Sequence, residues 1–265
     1  MNKPMTSQQD FLNPGQIRFY PGFEACDRKQ NVDAPTRFCS LCGGTGRLRV
    51  DVPYSDPSFG KSVLCSCSQE RQKSLRLQQR RQAANLDAFR ESTFKTFNYR
   101  IPGVQQAFRA SVEFAVNSQG WLLLIGPCGC GKTHLATAIA NQRLDSGATV
   151  FYSTAPDLLD ALRAAFVAPE GYTQLFTWVR EVELLVLDDL GAQQSSAWSN
   201  EKLLQILNYR ASTALPTIIT SILKEFQGLD ERLRSRLSDS QLVTTIIFEH
   251  VKDYRPFKLL PSGRT

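Results

Sequence analysis

Gly126-Pro127-Cys128-Gly129-Cys130-Gly131-Lys132-Thr133 fits the phosphate-binding pattern G-x-x-x-x-G-K-[ST] at every fixed position. The apolar run Trp121-Leu122-Leu123-Leu124-Ile125 leads into it, and the segment 132–145 that follows has apolar residues at Leu135, Ala136, Ile139 and Ala140. That order predicts a buried strand, a loop and an amphipathic helix. It suits a nucleoside triphosphate because the loop's backbone N–H groups and the helix's positive N-terminus face the same anion. Glycines let the backbone close around ATP or ADP, Lys132 brings a point charge to the β- and γ-phosphates, and the Thr133 hydroxyl takes one position on Mg2+. The nucleotide-binding set is therefore residues 126–133 with the adjoining His134.

Downstream, Thr149-Val150-Phe151-Tyr152-Ser153 is a β-rich run after the turn at Ser146-Gly147, and 157–166 carries Leu158, Leu159, Leu162 and Phe166 at helical spacing. Leu184-Leu185-Val186-Leu187 then enters Asp188-Asp189 without polar interruption. A wholly apolar strand has both faces covered, as in a parallel sheet between helices. With Thr217-Ile218-Ile219-Thr220 and 242–248 as further strands, the chain predicts an α/β domain: a parallel five-stranded sheet between helices, ligand at the strands' carboxyl ends. Asp188 and Asp189 fall at that edge. Asp188 is placed to hold magnesium and Asp189 to orient or deprotonate water, and Asp189, one methylene shorter than glutamate, predicts slow hydrolysis. A turn or helix cap is the competing use of aspartate there.

With 265 residues, the chain has room for one medium domain and a small appendage. The net charge of +6 permits nucleic-acid contact without requiring it. No signal-peptide core and no window of membrane-span length is present, so a cytoplasmic protein without membrane contact is expected. Seven cysteines, clustered and odd in number, argue against a disulfide framework. Cys39-Ser40-Leu41-Cys42, a glycine-rich turn and a returning pair, Cys65-Ser66-Cys67, suit a tetrahedral Zn2+ site of Cys39, Cys42, Cys65 and Cys67, with Cys26 as a substitute ligand. Such a closed site is structural. Reduced, buried cysteines are the competing explanation, and this polar segment offers little core to bury them. The basic stretch 69–84 reads as an exposed helix or linker.

The order of motifs in this chain is specific where no single one is. Leu187-Asp188-Asp189-Leu190-Gly191-Ala192, Trp198 with Glu201-Lys202-Leu203, Thr217-Ile218-Ile219-Thr220-Ser221, 231–237 and Asp253-Tyr254-Arg255 follow the phosphate loop in turn. In this the chain resembles the DnaC/IstB branch of the AAA+ ATPases, which includes bacterial helicase loaders, in a variant with an N-terminal cysteine module. The resemblance implies a P-loop AAA+ domain over 93–265, preceded by an N-terminal segment (1–35), a zinc-binding module (36–70) and a basic linker or helix (71–92). It implies Arg236 as an arginine finger acting on a neighbouring subunit's ATP and Arg255 as a sensor-two arginine in its own subunit. It also implies an insertion over 157–182 that contacts single-stranded DNA, with Arg163, Phe166, Tyr172, Phe176, Trp178 and Arg180 as candidates. One departure stands out: where the branch has Thr-Ser-Asn, this chain has Thr220-Ser221-Ile222. Isoleucine offers no hydrogen bond to a γ-phosphate, so either Ser221 or Thr220 takes over or hydrolysis is weak.

The function this implies is an ATP-dependent loader of a replicative DnaB-type helicase, self-associating through its ATPase domain on single-stranded DNA. The alternatives are an IstB-like transposition helper on duplex DNA, a small-molecule P-loop kinase, and a nucleotide-gated binding module with little turnover.

Overall fold

The computed structural model describes residues 39–166, 169–249, 251 and 253. The chain divides into two compact units, 1–76 and 77–265. In the first, β1 (Arg47–Arg49) pairs antiparallel with β2 (Ser62–Leu64), and helix α1 (Ser66–Ala83) begins, continuing past residue 76. Among the described residues of this unit only Cys42, Val50 and Cys65 are buried. So little apolar burial among these described residues offsets little of the entropy of ordering them, and a cross-link would add to it.

The second unit contains α2 (Gln105–Asn117), β3 (Trp121–Ile125), α3 (Lys132–Asp145), β4 (Val150–Thr154), α4 (Ala155–Ala165), α5 (Pro169–Glu181), β5 (Leu184–Asp188), α6 (Ala197–Ser212), β6 (Thr217–Ser221), α7 (Leu223–Gln227), α8 (Glu231–Leu237) and β7 (Val243–Ile247). The five strands form one parallel sheet in the order β4-β5-β6-β3-β7. Successive residues point to opposite faces and both faces are covered, which explains why β3 and β5 carry no polar alternation. Leu122 and Leu124 join one core with Leu135 and Ile139 of α3. Trp121, Leu123 and Ile125 join the other with Leu158 of α4, Val179 of α5 and Leu203 of α6.

Helix α3 departs from the expected amphipathic helix, because residues 135–141 are buried without a break. Its outer side is covered by α2 and by the stretch 84–97, which packs onto it and along the edge strand β4. Asn141 Nδ2 donates to Phe89 O (2.8 Å) and Ser92 O (3.0 Å), and Tyr152 N donates to Ala84 O (3.0 Å). The latter bond, with Asn85 Nδ2 donating to Tyr152 O (3.2 Å), covers the middle of the edge strand. A helix enclosed on every side loses its polar face.

One buried charge ties the second core together. Arg210 of α6 is fully buried and donates to the carbonyls of Val179, Arg180, Val182 and Pro216 and to Thr217 Oγ1, at 2.6–3.3 Å. Three of those carbonyls lie at the negative end of α5, where a cation is favoured. Burial lowers its pKa to about 9, which still leaves it charged at neutral pH. No helix among the described residues is long and apolar enough to cross a membrane.

Candidate functional site

Parallel pairing carries the ends of β3, β5 and β6 to one edge: Ile125 lies beside Ser221 and Leu187 beside Ile219. The phosphate loop leaves β3 there, and the acid pair leaves β5. Gly131 enters α3 with φ +102°, and a Cβ on it would lie 2.8 Å from Phe97 Cε2. Only glycine serves at a position that is both left-handed and this crowded. Lys132 Nζ is buried in the loop and donates to Gly126 O and Pro127 O, both at 3.0 Å.

Asp188 is buried at the end of β5 and accepts hydrogen bonds from three hydroxyls: Thr133 Oγ1 (2.9 Å to Oδ2), Tyr152 Oη (2.8 Å) and Thr220 Oγ1. Burial first, and then the neighbouring Asp188 carboxylate, push the Tyr152 phenol up, so it remains a donor. The pairing of Thr133 with Asp188 fits magnesium: an octahedron with bonds of 2.0–2.1 Å has adjacent oxygens about 2.9 Å apart. Asp189 turns out of the strand with φ +52°, and its N–H donates to Thr220 Oγ1 (2.9 Å). Ser221 Oγ donates to Leu190 O at 2.6 Å. Thr220 and Ser221 are thus both fully buried, with their hydroxyls donating to Asp188 and Leu190.

A cleft of about 450 Å³ opens beside the loop, within the range of small-ligand sites. The loop with Lys132, Asp189 and a wall that includes Phe97 and Ile101 line it. Phe97 and Ile101 make that wall apolar, a surface that suits a purine ring. Its residues reach the loop only through tertiary packing. His134 lies in the same wall, edge-on to Phe97 (5.2 Å), with Nε2 3.0 Å from Thr93 O. A carbonyl only accepts, so Nε2 carries the proton, and the ring pins the stretch before α2 to the start of α3. Cys128 is exposed, whereas Cys130 is buried and burial pushes its thiol up.

Arg236 is absent from this cleft. It lies on α8 in a separate surface groove, with Nε donating to Asn208 Oδ1 (3.1 Å). Arg255, like Cys26 and the segment 1–35, lies outside the described residues. In the region 157–182, Phe166 stacks on Tyr172 (4.4 Å), Tyr172 on Phe176 (5.6 Å), and Arg163 lies 4.9 Å from the Trp198 ring. Phe166 is exposed, while Tyr172 and Phe176 pack against the second core. Arg180 covers Tyr209 at 4.4 Å, and Trp178 faces a different groove beside Thr173 and Glu181.

In the first unit, the Sγ atoms of Cys39, Cys42, Cys65 and Cys67 all lie within 4.8 Å of one another, with 3.7 Å from Cys39 to Cys65 and 3.5 Å from Cys42 to Cys67. A tetrahedron of 2.3 Å Zn–S bonds has edges of about 3.8 Å, so the donor set fits zinc. Gly46 N donates to Cys42 Sγ (3.2 Å). Burial opposes ionisation of Cys42, but that N–H and the Cys67 thiol outweigh it and lower Cys42 to about 6.

The family model described as IstB-like ATP binding protein matches residues 60–251. The replicative helicase loader DnaC of Buchnera aphidicola subsp. Baizongia pistaciae is 28% identical over 158 residues, which are 58% of this chain and 64% of that protein. The chain thus matches a little under two thirds of that relative's length. A crystal structure of the DnaC helicase loader superposes with a TM-score of 0.55 at 23% identity, over 62% of this chain and 99% of that one. The replication initiator DnaA bound to AMPPCP and single-stranded DNA superposes with a TM-score of 0.53 at 24% identity, over 59% of this chain and 50% of that one.

Proposed function

We propose, since this chain belongs to the IstB-like ATP binding protein family of DnaC/IstB-type AAA+ ATPases, that it binds ATP with magnesium, hydrolyses it slowly and loads a DnaB-type helicase onto single-stranded DNA. The observation that carries this is the meeting of Thr133 with Asp188 beside Lys132. Thr133 and Asp188 would hold Mg2+, which supplies charge neutralisation on the phosphates. Lys132 turns from its loop carbonyls to the β- and γ-phosphates, and the loop N–H groups bind the rest of the anion. Asp189 would act on the γ-phosphate side, and Arg255 is the candidate sensor-two arginine that the resemblance implies.

Arg236 stands away from its own cleft, which supports a role on a neighbouring subunit's ATP and assembly into an oligomer. The name of the DnaC relative supports a helicase as partner, and the DnaA complex supports single-stranded DNA as the track for assembly. The patch of Phe166, Tyr172, Trp198 and Arg163 joins a stacking surface to a cation, as single-strand binding requires. Zn2+ on the four cysteines would fold the N-terminal module that grips the helicase.

The test compares wild type with Lys132→Ala in ATP hydrolysis and in recovery of a hexameric helicase. Turnover stimulated by single strands, with helicase capture altered in the variant, supports loading. The family model's IstB description favours a second reading, transposition help; stimulation by duplex DNA and recovery of a transposase would select it.

A further inference from the structure

Glu225 lines the same cleft as Lys132 and Asp189, from α7 directly after β6. Its Oε2 is buried and accepts no hydrogen bond. Buried carboxylate oxygens in folded proteins are nearly always partnered, so an unmatched one in the wall of a ligand cleft points to what the cleft binds. The placement is fixed by backbone packing. A Cβ on Gly191 would fall 2.7 Å from Glu225 Cβ and 2.9 Å from its carbonyl oxygen, so the bare glycine lets α7 rest on the turn after the acid pair.

Two further observations agree. This segment gives two residues to the cleft, Ile222 and Glu225, and only Glu225 carries a side-chain oxygen. Burial, and then the Asp189 carboxylate, raise the Glu225 pKa, with Lys132 opposing them. A carboxylate raised toward the working pH is a better proton acceptor.

We propose that Glu225 is the carboxylate that orients and deprotonates the attacking water, reaching the place that Asp189 is one methylene too short to fill. This rests on ATP hydrolysis in this cleft, as proposed above. The water oxygen bonds to the γ-phosphorus while the bond from that phosphorus to the bridging oxygen breaks. The electron pair of the broken bond leaves with ADP, and the water's proton passes to Glu225 and then to solvent.

Glu225→Gln keeps the shape and removes the base. The expected result is a KM and calorimetric affinity for Mg-ATP within about two-fold of wild type, with kcat lower by about 100-fold. Glu225→Asp should recover part of that loss. Turnover by Glu225→Gln within about three-fold of wild type overturns the proposal, as does a loss of ATP binding accompanied by a lower melting temperature in both variants. Failure of the underlying reading looks different: wild type that binds ATP through Lys132 yet never turns it over overturns the ATPase, and this role with it.

Discussion

Tyr152 Oη lies 2.8 Å from Asp188 Oδ2, one strand away, in the register that sets Thr154 beside Asp188. The phenol is one of three hydroxyls holding a carboxylate that burial would otherwise disfavour. Tyr152→Phe removes one donor to a charged acceptor, worth about 1.5–3 kcal/mol. The half-saturating magnesium concentration for ATP hydrolysis should rise by about 10-fold, while nucleotide binding without metal is unchanged. An unaltered magnesium titration would deny Asp188 its metal role.

The four-cysteine cluster predicts one zinc per chain by elemental analysis. Cys65→Ser should lose the metal, and Cys26→Ser should keep it. Thiolates bind the metal and thiols do not, so acidification releases zinc as protons replace it on sulfur. A metal content untouched by Cys65→Ser would reject the assignment.

Arg236 rests on Asn208, outside its own cleft. Arg236→Ala should bind ATP normally yet turn it over about 10³-fold more slowly. Mixed with Lys132→Ala, it should regain activity, since each variant supplies what the other lacks. Failure of the mixture to exceed either variant alone would exclude action between subunits.

Phe166 is exposed and stacked, whereas Trp178 faces elsewhere. Phe166→Ala should weaken single-strand binding by about 1–3 kcal/mol, and Trp178→Ala should leave it unchanged. Fluorescence anisotropy on a labelled oligonucleotide decides between them. Equal effects would disperse the proposed patch.

Arg210→Met retains the apolar stem but removes the side-chain donor to the buried carbonyls of Val179 and Val182. Unpaired buried acceptors cost about 1–3 kcal/mol each, so the unfolding midpoint in urea should fall clearly. A midpoint matching wild type would mean that water enters this part of the second core.

The sheet was legible because two-sided burial writes itself as uninterrupted aliphatic runs, as in 121–125 and 184–187. The loop and acid pair were legible because phosphate and metal demand particular atoms at particular spacings. What stayed hidden depends on distant covering elements. Nothing local in 132–145 announces that the 84–97 stretch closes over it, which is why α3 was expected to have a wet face. Phe97, Ile101 and Glu225 meet the loop only once the chain has folded. Arg210 looks like any surface arginine in a helix until its five acceptors are assembled around it. The engagement of the Thr220 and Ser221 hydroxyls with Asp188 and Leu190 likewise emerges only in the folded sheet.

The two-faced packing of β3 bears on how such a chain tolerates genetic change. Exchanging one aliphatic side chain for another of similar volume costs less than about 1.5 kcal/mol, so spelling can drift widely. Loss of a single codon within the strand would instead invert the facing of every residue on one side of the gap and rotate the departing loop away from Asp188. Lineages carrying this domain should therefore diverge in letters while the count of residues from Trp121 to Thr133 stays constant.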